Sequence, residues 1–491
     1  MYLEAWNNVQ AVWKWLMDNL IYINLIFSII IIFFERRDPK SVWGWLLILY
    51  FVPIFGFVFY LVCGQDFHKV KMFRIKEFED ELNSTIHRQE DSILNRNFDK
   101  DHPLLRQYSD TILYNLESSG AIFTDDNEVT IYSDGKEKFE ALKEDLRNAK
   151  HYIHLQYYII RKDELFSSIV DILKEKVNEG VEVRILFDAM GCRSLGRKYV
   201  AKLKKSGIQT AVFFPAIFGR LQLRVNYRNH RKIAVIDGKT GYVGGFNVGK
   251  EYLGEDKRYG YWRDTHLRIT GSAVMHLQLR FVLDWNYAAK DNLLKRKELF
   301  TSPEDMVRGH TGVQIISSGP DSMYKNIRNN YLKLINQSKE SILIQTPYFA
   351  PDETILDALK MAALSGVSVN IMFPCKPDHP FVYWATYSYI GEMLQAGARC
   401  YTYDNGFIHA KGLISDRKAL CYGTANMDIR SFQLNFEVNA TIFDEDVAEK
   451  MVKQFEEDLE MCTEITPYMY GQRSIVIRIK EQLCRLFAPI L

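Results

Sequence analysis

The chain has 491 residues, too many for one ordinary hydrophobic core, and this length indicates two or three domains. Its 62 lysines and arginines nearly balance its 61 aspartates and glutamates, so the net charge predicts no polyanionic partner such as DNA. The seven cysteines form no C-x-x-C pair, as is typical of a reducing compartment, and the histidines form no metal-like cluster outside one repeated motif. We therefore predict no metal and no other cofactor.

Two charge-free apolar runs, at 19–34 and 41–65, lie near the start of the chain. Because a bilayer span needs about 20 predominantly apolar residues, we predict a two-helix membrane hairpin over residues 1–66, in which a few preceding residues lengthen the first run. A cleaved signal peptide is disfavoured, since no small-residue cleavage site follows the first run. Pro53 and Gly56 leave open whether the second segment spans the membrane or re-enters it.

Basic residues flank the two apolar runs unequally. The loop between the runs contains Arg36, Arg37 and Lys40, whereas the outer flanks contain Lys14 and a group of four after the second run. The positive-inside rule then places both flanks, and the large soluble part that follows, in the cytoplasm. A polar connector with one or two helices is predicted at 67–120.

Beyond this connector, apolar strands alternate with short helices in two stretches, 121–298 and 299–466, which predicts an α/β fold with two similar layered halves. Gln156 and Gln345 take matching places in the two halves. The predicted elements are a helix at 139–150, a strand at 151–159, a helix at 165–178 and a strand at 181–188, then a strand at 341–345, a helix at 354–364 and a strand at 367–373.

Each half contains one copy of a motif that reads H-x-K-x4-D-x6-G-x-x-N. Every motif residue of the second copy lies 179 positions after its counterpart, which identifies an internal duplication. A single histidine or lysine near an apolar run is usually structural or solvated, but recurrence at fixed spacing favours a functional site. The candidate catalytic residues are His230, Lys232, Asp237, His409, Lys411 and Asp416, and Asn247 and Asn426 close the two copies.

The residue types of the motif suit phosphate chemistry. Side chains two positions apart in a strand point to the same face, so the histidine and lysine of each copy lie side by side. A neutral imidazole can attack phosphorus, while a lysine ammonium group and an asparagine amide can hold phosphoryl oxygens. We therefore predict that Lys232, Lys411, Asn247 and Asn426 bind phosphate. The copies differ at the residue after the motif glycine: Gly245 follows Gly244 in the first copy, whereas Thr424 follows Gly423 in the second.

One carboxylate follows each motif copy, just inside a strand-like run: Asp264 in the first half and Glu437 in the second. A histidine that attacks phosphorus must hold its other ring N–H in place, and a carboxylate on Nδ1 fixes that tautomer. We predict that Asp264 and Glu437 orient the motif histidines; the alternative is that both are surface acids.

The C-terminal tail, 467–491, combines basic and apolar residues. Arg473, Arg478, Lys480 and Arg485 alternate there with isoleucine, valine and leucine, as is typical of an amphipathic helix. Such a helix lies either on a membrane or on the preceding domain, and both alternatives remain open.

The duplicated motif resembles the HKD signature of the phospholipase D superfamily, whose members bring two such motifs into one active site. A closer resemblance, to bacterial cardiolipin synthases, covers nearly the whole chain and includes the segments ERRDPKSVWGWLL, NYRNHRKIAVIDGKTGYVGGFNVGKEYLG, WRDTH, TPYFAPD, GFIHAK and GTANMDIRSFQLNFE. It implies two phospholipase D-like α-β-α sandwich halves behind a membrane hairpin, in a multi-pass protein of the bacterial cell membrane with a cytoplasmic catalytic part.

The same resemblance implies a reaction. A phosphatidyl group passes from one phosphatidylglycerol to the hydroxyl of a second, which gives cardiolipin and glycerol. Its partners would be phosphatidylglycerol, other anionic phospholipids and the membrane, with no nucleic acid. His230 is assigned as the nucleophile that forms a phosphatidyl-histidine and His409 as the acid, although the similarity of the copies leaves the reverse open. Asp237 and Asp416 would orient the motif lysine or strand.

Other functions are weighed against this one. A phospholipase D-type hydrolase needs the same residues but lets water accept the phosphatidyl group, so exclusion of water decides between the two. A membrane-tethered scaffold with an inactive duplicated fold is disfavoured by the intact histidine, lysine and aspartate of both copies. A nuclease of the same superfamily is disfavoured by the apolar runs.

Overall fold

The computed structural model divides the chain into two compact units, residues 1–70 with 216–226 and residues 71–215 with 227–491. The residues that the structure describes are 17–33, 39–56, 103–215, 227–300 and 306–488, with the single residues 6, 10, 11, 14, 15, 60 and 89.

In its described part, the first unit contains helices α1 (Leu20–Phe33) and α2 (Pro39–Phe51). The helices pack through Ile31 and Leu49, which are both buried. The Asn24 side-chain amide also donates to the Leu49 carbonyl oxygen at 3.1 Å, so a polar contact fixes the two helices against each other.

The opposite faces of α1 and α2 expose apolar side chains. Phe33 is 75 % exposed and Tyr50 is 80 % exposed, and Ile21 and Leu25 of α1 and Leu47 of α2 are also more than half exposed. Among the described residues, no helix is both long and apolar enough to cross a membrane. Most of the predicted loop between the two apolar runs, at 35–40, lies outside the described residues, as does the second run after residue 56 apart from Tyr60.

The second unit alternates helices and strands. Its helices are α3 (Pro103–Ser119), α4 (Gly135–Asn148), α5 (Glu164–Asn178), α6 (Gly196–Lys205), α7 (Val274–Ala289), α8 (Asn326–Gln337), α9 (Glu353–Leu364), α10 (Pro380–Gln395), α11 (Ile429–Gln433), α12 (Glu445–Leu459), α13 (Pro467–Gly471) and α14 (Ile475–Leu486). Its strands are β1 (Phe123–Tyr132), β2 (Tyr152–Tyr157), β3 (Glu182–Asp188), β4 (Gln209–Phe213), β5 (Arg228–Asn229), β6 (Ile233–Ile236), β7 (Thr240–Gly244), β8 (Trp262–Arg263), β9 (His266–Thr270), β10 (Thr311–Ser318), β11 (Ser341–Gln345), β12 (Phe349–Ala350), β13 (Ser368–Pro374), β14 (Arg399–Tyr403), β15 (Phe407–Ile408), β16 (Gly412–Ser415), β17 (Ala419–Gly423), β18 (Met427–Asp428), β19 (Asn435–Phe443) and β20 (Cys462–Glu464).

Most of these strands form one sheet, in the order β20-β14-β13-β11-β16-β17-β19-β10-β1-β9-β7-β6-β2-β3-β4, with β5 paired to β19. From the centre outward, the first half follows β1-β9-β7-β6-β2-β3-β4 and the second follows β10-β19-β17-β16-β11-β13-β14. The two halves meet where β1 and β10 pair antiparallel. The duplication in the sequence is therefore a duplication of strand order, and the predicted α/β fold with two similar halves is confirmed.

Each half has its own hydrophobic core between the sheet and its helices. Helix α4 begins at Gly135, earlier than predicted, because the Asp134 carboxylate accepts from the backbone N–H groups of Lys136 and Glu137 and so caps the helix. Helix α3 lies in the predicted connector, yet its apolar face, with Tyr108 and Ile112, is part of the core of the second half.

The motif aspartates lie at the far end of the motif strands from the histidines. Asp237 follows β6 and Asp416 follows β16, and both adopt left-handed backbone conformations, with φ of 52° and 51°. The Asp416 carboxylate accepts from the backbone N–H groups of Lys339, Glu340 and Ser341 at 2.7 to 3.0 Å. It thereby holds the start of β11 against β16.

Asp237 makes the same contacts in the first half. Its carboxylate accepts from the backbone N–H groups of Lys150, His151 and Tyr152, at the start of β2, at 2.7 to 2.8 Å. Asp237 and Asp416 therefore have the same structural role in the two halves, which explains why an aspartate recurs in the motif.

We expect Asp416→Ala to lower the free energy of unfolding by about 2–4 kcal/mol, because three partly buried N–H groups lose their acceptor. Asp416→Asn should lower it less, since the amide oxygen still accepts and asparagine tolerates positive φ. The measurement is the midpoint of thermal unfolding in detergent. Asp171→Ala, which removes an exposed acid paired only with Lys174, is the matched control. An unchanged midpoint for Asp416→Ala would contradict this structural role.

Candidate active site

Two very short parallel strand pairs connect the halves at the motif histidines. Strand β5 pairs with the start of β19, and β15 pairs with β8. In this register the residue after β5, His230, donates its backbone N–H to the Phe436 carbonyl at 2.9 Å, and His409 donates to the Arg263 carbonyl at 2.6 Å. Each histidine therefore lies beside the residue that follows its backbone hydrogen-bond partner, Glu437 or Asp264, which is a carboxylate of the other half.

The carboxylates contact the histidines across the halves. His230 Nδ1 lies 3.0 Å from both carboxylate oxygens of Glu437, and His409 Nδ1 lies 2.7 Å from Asp264 Oδ2. Both carboxylates are fully buried. Because Nδ1 of each ring faces a carboxylate, Nε2 is the ring nitrogen available for chemistry.

The electrostatics of the pairs favour neutral histidines and ionised carboxylates. Burial lowers the pKa of His230, although Glu437 opposes this shift, and burial together with the Lys411 charge lowers the pKa of His409 to about 4. Burial raises the pKa of Asp264, but Lys411 and His409 reverse this effect, so that the pKa lies below its ordinary value. The same holds for Glu437, whose pKa is lowered by His230.

The motif lysines are buried directly behind the histidines. Lys232 Nζ donates to the His230 carbonyl oxygen at 2.7 Å, and Lys411 Nζ lies 2.6 Å from His409 Nδ1 and 3.8 Å from Asp264 Oδ2. Burial lowers the pKa of Lys232 to about 7 and the pKa of Lys411 to about 8. Both amines therefore gain and lose protons near neutral pH.

A single cleft of about 670 Å³ brings the two halves of the site together. His230, His409, Asn247 and Asn426 all line it, whereas the two lysines lie beneath the lining. The Asn426 side chain donates to Asp428 at 3.1 Å, and its buried Oδ1 has no hydrogen-bond partner among the described residues. Asp237 and Asp416 are not among the residues that line the cleft.

The motif glycines allow close approach of the neighbouring strand. A Cβ at Gly244 would lie 2.5 Å from His266 Cα, and a Cβ at Gly245 would lie 1.9 Å from Asp264 Oδ1. Gly245 therefore provides the space that the Asp264 carboxylate occupies. In the second copy this position is Thr424, whose hydroxyl instead accepts from the Val438 N–H at 2.9 Å beside Glu437.

A buried arginine fixes the first histidine–carboxylate pair. Arg231 Nη1 donates to both carboxylate oxygens of Asp284 on α7 at 2.6 Å, and Arg231 Nε donates to the Glu437 carbonyl oxygen at 3.1 Å. Gln156 also donates to Asp284, at 2.6 Å. Sequence reasoning missed Arg231 and Asp284, although an acid within the apolar helix α7 was a usable signal.

The second pair has an equivalent support. Arg263, which directly precedes Asp264, donates through Nε to Asp458 on α12 at 2.9 Å, and Gln345 donates to the same carboxylate at 2.7 Å. The matched glutamines of the sequence therefore have matched roles, since each binds the acid that holds an arginine next to the site.

The comparisons with known proteins agree with this geometry. The family described as cardiolipin synthase, PLD-like domain, matches residues 142–261 and 331–459, and the phospholipase D-nuclease N-terminal family matches residues 23–65. The chain belongs to the cardiolipin synthase family. It is 48 % identical to a cardiolipin synthase of Oceanobacillus iheyensis, over 96 % of this chain and 97 % of that protein. It is also 48 % identical to the major cardiolipin synthase ClsA of Bacillus subtilis, over 97 % and 99 % of the two chains.

A solved structure has the same fold. The crystal structure of phosphatidylserine synthase from Haemophilus influenzae matches with a TM-score of 0.58 and covers 78 % of this chain and 100 % of its own. The sequence identity is 15 %, so this likeness concerns the fold alone.

In this member of the cardiolipin synthase family, the surroundings of the two histidines differ. The Tyr158 ring lies 4.9 Å from the His230 ring. Burial and Asp188 raise the pKa of Tyr158, and the guanidinium groups of Arg228 and Arg430 oppose this shift. Both arginines also line the cleft.

The surroundings of His409 are acidic instead. Burial is the main effect on the pKa values of His409 and Lys411, and Asp378 raises both. Asp378 and Asp428 line the cleft, and the Tyr348 hydroxyl donates to Asp378. Charged groups of both signs therefore line the cleft: Arg228 and Arg430 act on the pKa of Tyr158 beside His230, whereas Asp378 acts on the pKa values of His409 and Lys411. Within the described ranges, no group of three or more histidine, cysteine or acidic side chains is placed to hold a metal ion.

We expect the affinity of the cleft for sulfate, a fully ionised tetrahedral oxyanion, to fall as the pH rises from about 6 to about 9. Lys232 and Lys411 lose their charge as the pH passes pKa values of about 7 and about 8, while His409, with a pKa of about 4, is neutral throughout this range. Each lysine that must be protonated weakens binding by up to about tenfold per pH unit above its pKa. Isothermal titration calorimetry measures this dependence.

Two variants sharpen this test. Lys411→Arg retains a positive charge at every pH used, so the decline in affinity should become shallower. Lys360→Met removes a lysine paired with Asp357 and Glu392 outside the cleft lining and should leave the pH dependence intact. Sulfate affinity that is independent of pH in the parent chain would exclude the lysines from anion binding.

Proposed function

We propose that this chain is a cardiolipin synthase that transfers a phosphatidyl group from one phosphatidylglycerol to the hydroxyl of a second, with release of glycerol. The identity of 48 % to curated cardiolipin synthases over nearly the whole chain supports the reaction. The observation that carries the mechanism is the pair of buried carboxylate–histidine contacts facing one cleft.

The first step forms a covalent intermediate. Nε2 of one neutral histidine attacks phosphorus in line, and the bond between phosphorus and the glycerol headgroup oxygen breaks. The second histidine gives the leaving oxygen a proton, so glycerol departs neutral. The first histidine is then joined to the phosphatidyl group.

The second step reverses the roles. The second histidine, now neutral, takes the proton of the incoming phosphatidylglycerol hydroxyl, whose oxygen attacks phosphorus. The bond between phosphorus and nitrogen breaks, cardiolipin forms, and the second histidine again carries the proton that it donated in the first step. Protons therefore balance over one complete cycle.

We assign His230 as the nucleophile and His409 as the acid and base. Arg228 and Arg430 line the cleft and act on the pKa of Tyr158, whose ring lies 4.9 Å from the His230 ring, and these cations favour the phosphodiester anion on that side. Asp378 near His409 is an acceptor suited to the hydroxyl groups of glycerol. Because burial holds the pKa of His409 at about 4 in the free chain, the anionic phosphodiester must raise this pKa when it binds.

The other motif residues stabilise charge and geometry in this proposal. Lys232 and Lys411 supply ammonium groups behind the reacting phosphate, and Asn247 and Asn426 supply amide groups at the cleft wall, so the charge of the transition state meets fixed donors. Glu437 and Asp264 hold the histidine tautomers, as a carboxylate does in a serine-protease triad. Asp237 and Asp416 act by positioning β2 and β11.

The decisive experiment supplies labelled phosphatidylglycerol to the detergent-solubilised full chain and resolves the lipid products. We expect cardiolipin and free glycerol, and a phosphatidyl adduct on the His230 peptide after a quench in denaturant at neutral pH at the start of turnover, because acid would hydrolyse the bond between phosphorus and nitrogen. His230→Ala and His409→Ala should each lower the rate by about 10⁴-fold or more. Phosphatidic acid as the main product would favour a hydrolase instead, and an adduct on the His409 peptide would exchange the two assignments.

A conservative substitution of a carboxylate tests the histidine–carboxylate contacts in the same assay. Glu437→Gln should lower the rate by about 10²- to 10⁴-fold with little change in melting temperature, because the histidine tautomer is no longer fixed. Glu251→Gln removes a carboxylate that also lines the cleft but binds Arg161 rather than a histidine, and it should cost far less. Equal losses for the two variants would argue against a specific role of Glu437.

We further propose that residues 1–66 form the membrane hairpin of a multi-pass bacterial membrane protein whose catalytic part is cytoplasmic. The match of residues 23–65 to the phospholipase D-nuclease N-terminal family and the exposed apolar faces of α1 and α2 support this location. In inverted membrane vesicles, added protease should digest the catalytic part, whereas in right-side-out vesicles it should be protected. Digestion only in right-side-out vesicles would reverse the topology.

A further inference from the structure

Helix α14, near the C-terminus, turns apolar side chains outward. Its apolar side chains at Ile475, Ile479, Leu483 and Leu486 follow a helical spacing, and each is more than half exposed. Val476 and Phe487 extend this stripe. A helix on the surface of a soluble domain normally turns its apolar face inward, so the outward apolar stripe of α14 is unusual.

The inward face of α14 is held by polar contacts. Glu481 is 1 % exposed and accepts from Arg473 Nε at 2.7 Å, and Cys484 is buried beside it. Arg485 forms an ion pair with Glu392 of α10 and lies 4.5 Å over the Tyr389 ring. The orientation of the helix is therefore fixed, and its apolar stripe stays outward.

The stripe adjoins the candidate active site. Ala488, which follows α14, lines the cleft, and Leu486 and Phe487 immediately before it are exposed. Helix α10, on which α14 packs, begins with Pro380, Phe381 and Val382, which also line the cleft, and Phe381 is 61 % exposed. Exposed apolar groups thus extend from α14 to the lining of the cleft.

Basic side chains flank the stripe. Arg478 and Lys480 are exposed on α14, whereas the acid of the helix, Glu481, is buried and paired. An apolar stripe with flanking cations is complementary to a bilayer that contains anionic lipids, because the stripe enters the acyl region and the cations meet the headgroups.

We propose that the outward face of α14 docks on the surface of an anionic bilayer and presents the cleft to lipid, so that phosphatidylglycerol enters without crossing water. This proposal rests on the proposed function, since a lipid substrate gives the cleft a reason to face a membrane. The occupant of the stripe is the bilayer in which the full chain resides. A second copy of the chain is the alternative occupant that the experiment must exclude.

The contact is tested by photo-crosslinking. The full chain, with a photoreactive leucine analogue at position 483, is reconstituted in vesicles of phosphatidylcholine mixed with phosphatidylglycerol. We expect lipid adducts in mass spectra, in higher yield than in vesicles of phosphatidylcholine alone, because Arg478 and Lys480 attract anionic headgroups. The same analogue at Leu364, an exposed residue at the end of α9, is the positional control. A crosslinked dimer, or no adduct, overturns the proposal.

Turnover provides the second measurement. Leu483→Glu should lower cardiolipin formation from phosphatidylglycerol vesicles at least about fivefold, because a charge enters the buried part of the interface. Turnover of a short-chain, monomeric phosphatidylglycerol in detergent should stay within about twofold of the parent, since docking is then not needed. Leu364→Glu makes the same change on α9, and Gln482→Glu adds the same charge beside the stripe; both should affect the two substrates equally.

The results of these two measurements distinguish docking of α14 on the bilayer from the proposed cardiolipin synthase activity. Equal loss on vesicles and on the short-chain substrate would assign Leu483 a structural role and overturn the proposal, as would unchanged turnover on both. If the parent chain forms no cardiolipin from either substrate, the proposed function fails, while the lipid adducts at position 483 still decide whether α14 docks on the bilayer.

Discussion

The active-site geometry depends on two parallel strand contacts of only two residues each. The β5–β19 and β15–β8 contacts place each motif histidine next to a carboxylate that belongs to the other half. Pairs this short have no independent stability, so they form only when the surrounding sheet is complete. Neither half can therefore assemble a histidine with its oriented Nδ1 alone, and the β1–β10 contact that joins the halves is a requirement of the site.

Buried ion pairs give these contacts a fixed position. The Arg231–Asp284 and Arg263–Asp458 pairs each lie next to one histidine–carboxylate contact and are almost completely buried. Such pairs add little net stability, because desolvation offsets their attraction, but removal of one partner costs about 3–5 kcal/mol. Their benefit is positional: Arg231 holds the backbone of Glu437, and Arg263 directly precedes Asp264. A supporting contact of this kind limits the movement of the catalytic side chain.

Much of the fold could be predicted from the sequence, because the duplication reports the architecture directly. The helix and strand patterns before Gly180 and Gly366 agree with the structure, and the matched Gln156 and Gln345 do occupy equivalent strands. The cross-half partners of the histidines could not be predicted. Both carboxylates follow a motif at similar distances along the chain, and a single sequence contains no information on which strand ends lie together in space.

The motif aspartates show a different limit of sequence reasoning. Asp237 and Asp416 share a repeated motif with the histidines, so the sequence places them among the candidate catalytic residues, with the expected role of orienting the motif lysine or strand. Their left-handed backbone and their contacts with the starts of β2 and β11 are three-dimensional properties that spacing alone does not distinguish from a catalytic position. Recurrence of a residue in both halves indicates that it has the same role in each, but this role can be structural rather than catalytic.

A duplicated site must still perform two different tasks, and the motif itself offers little to distinguish them. The difference comes from the surroundings: Glu251 and Arg430 are counterparts 179 residues apart, both line the cleft, and they carry opposite charges. Arg430 belongs to the second half, yet its charge lowers the pKa of Tyr158 of the first half, whose ring lies 4.9 Å from the His230 ring. Each histidine thus contacts a carboxylate of the other half, and Tyr158 beside His230 is affected by a cation of the other half. An ancestral symmetric site could acquire separate nucleophile and acid functions by changing such lining residues while both motifs stay intact.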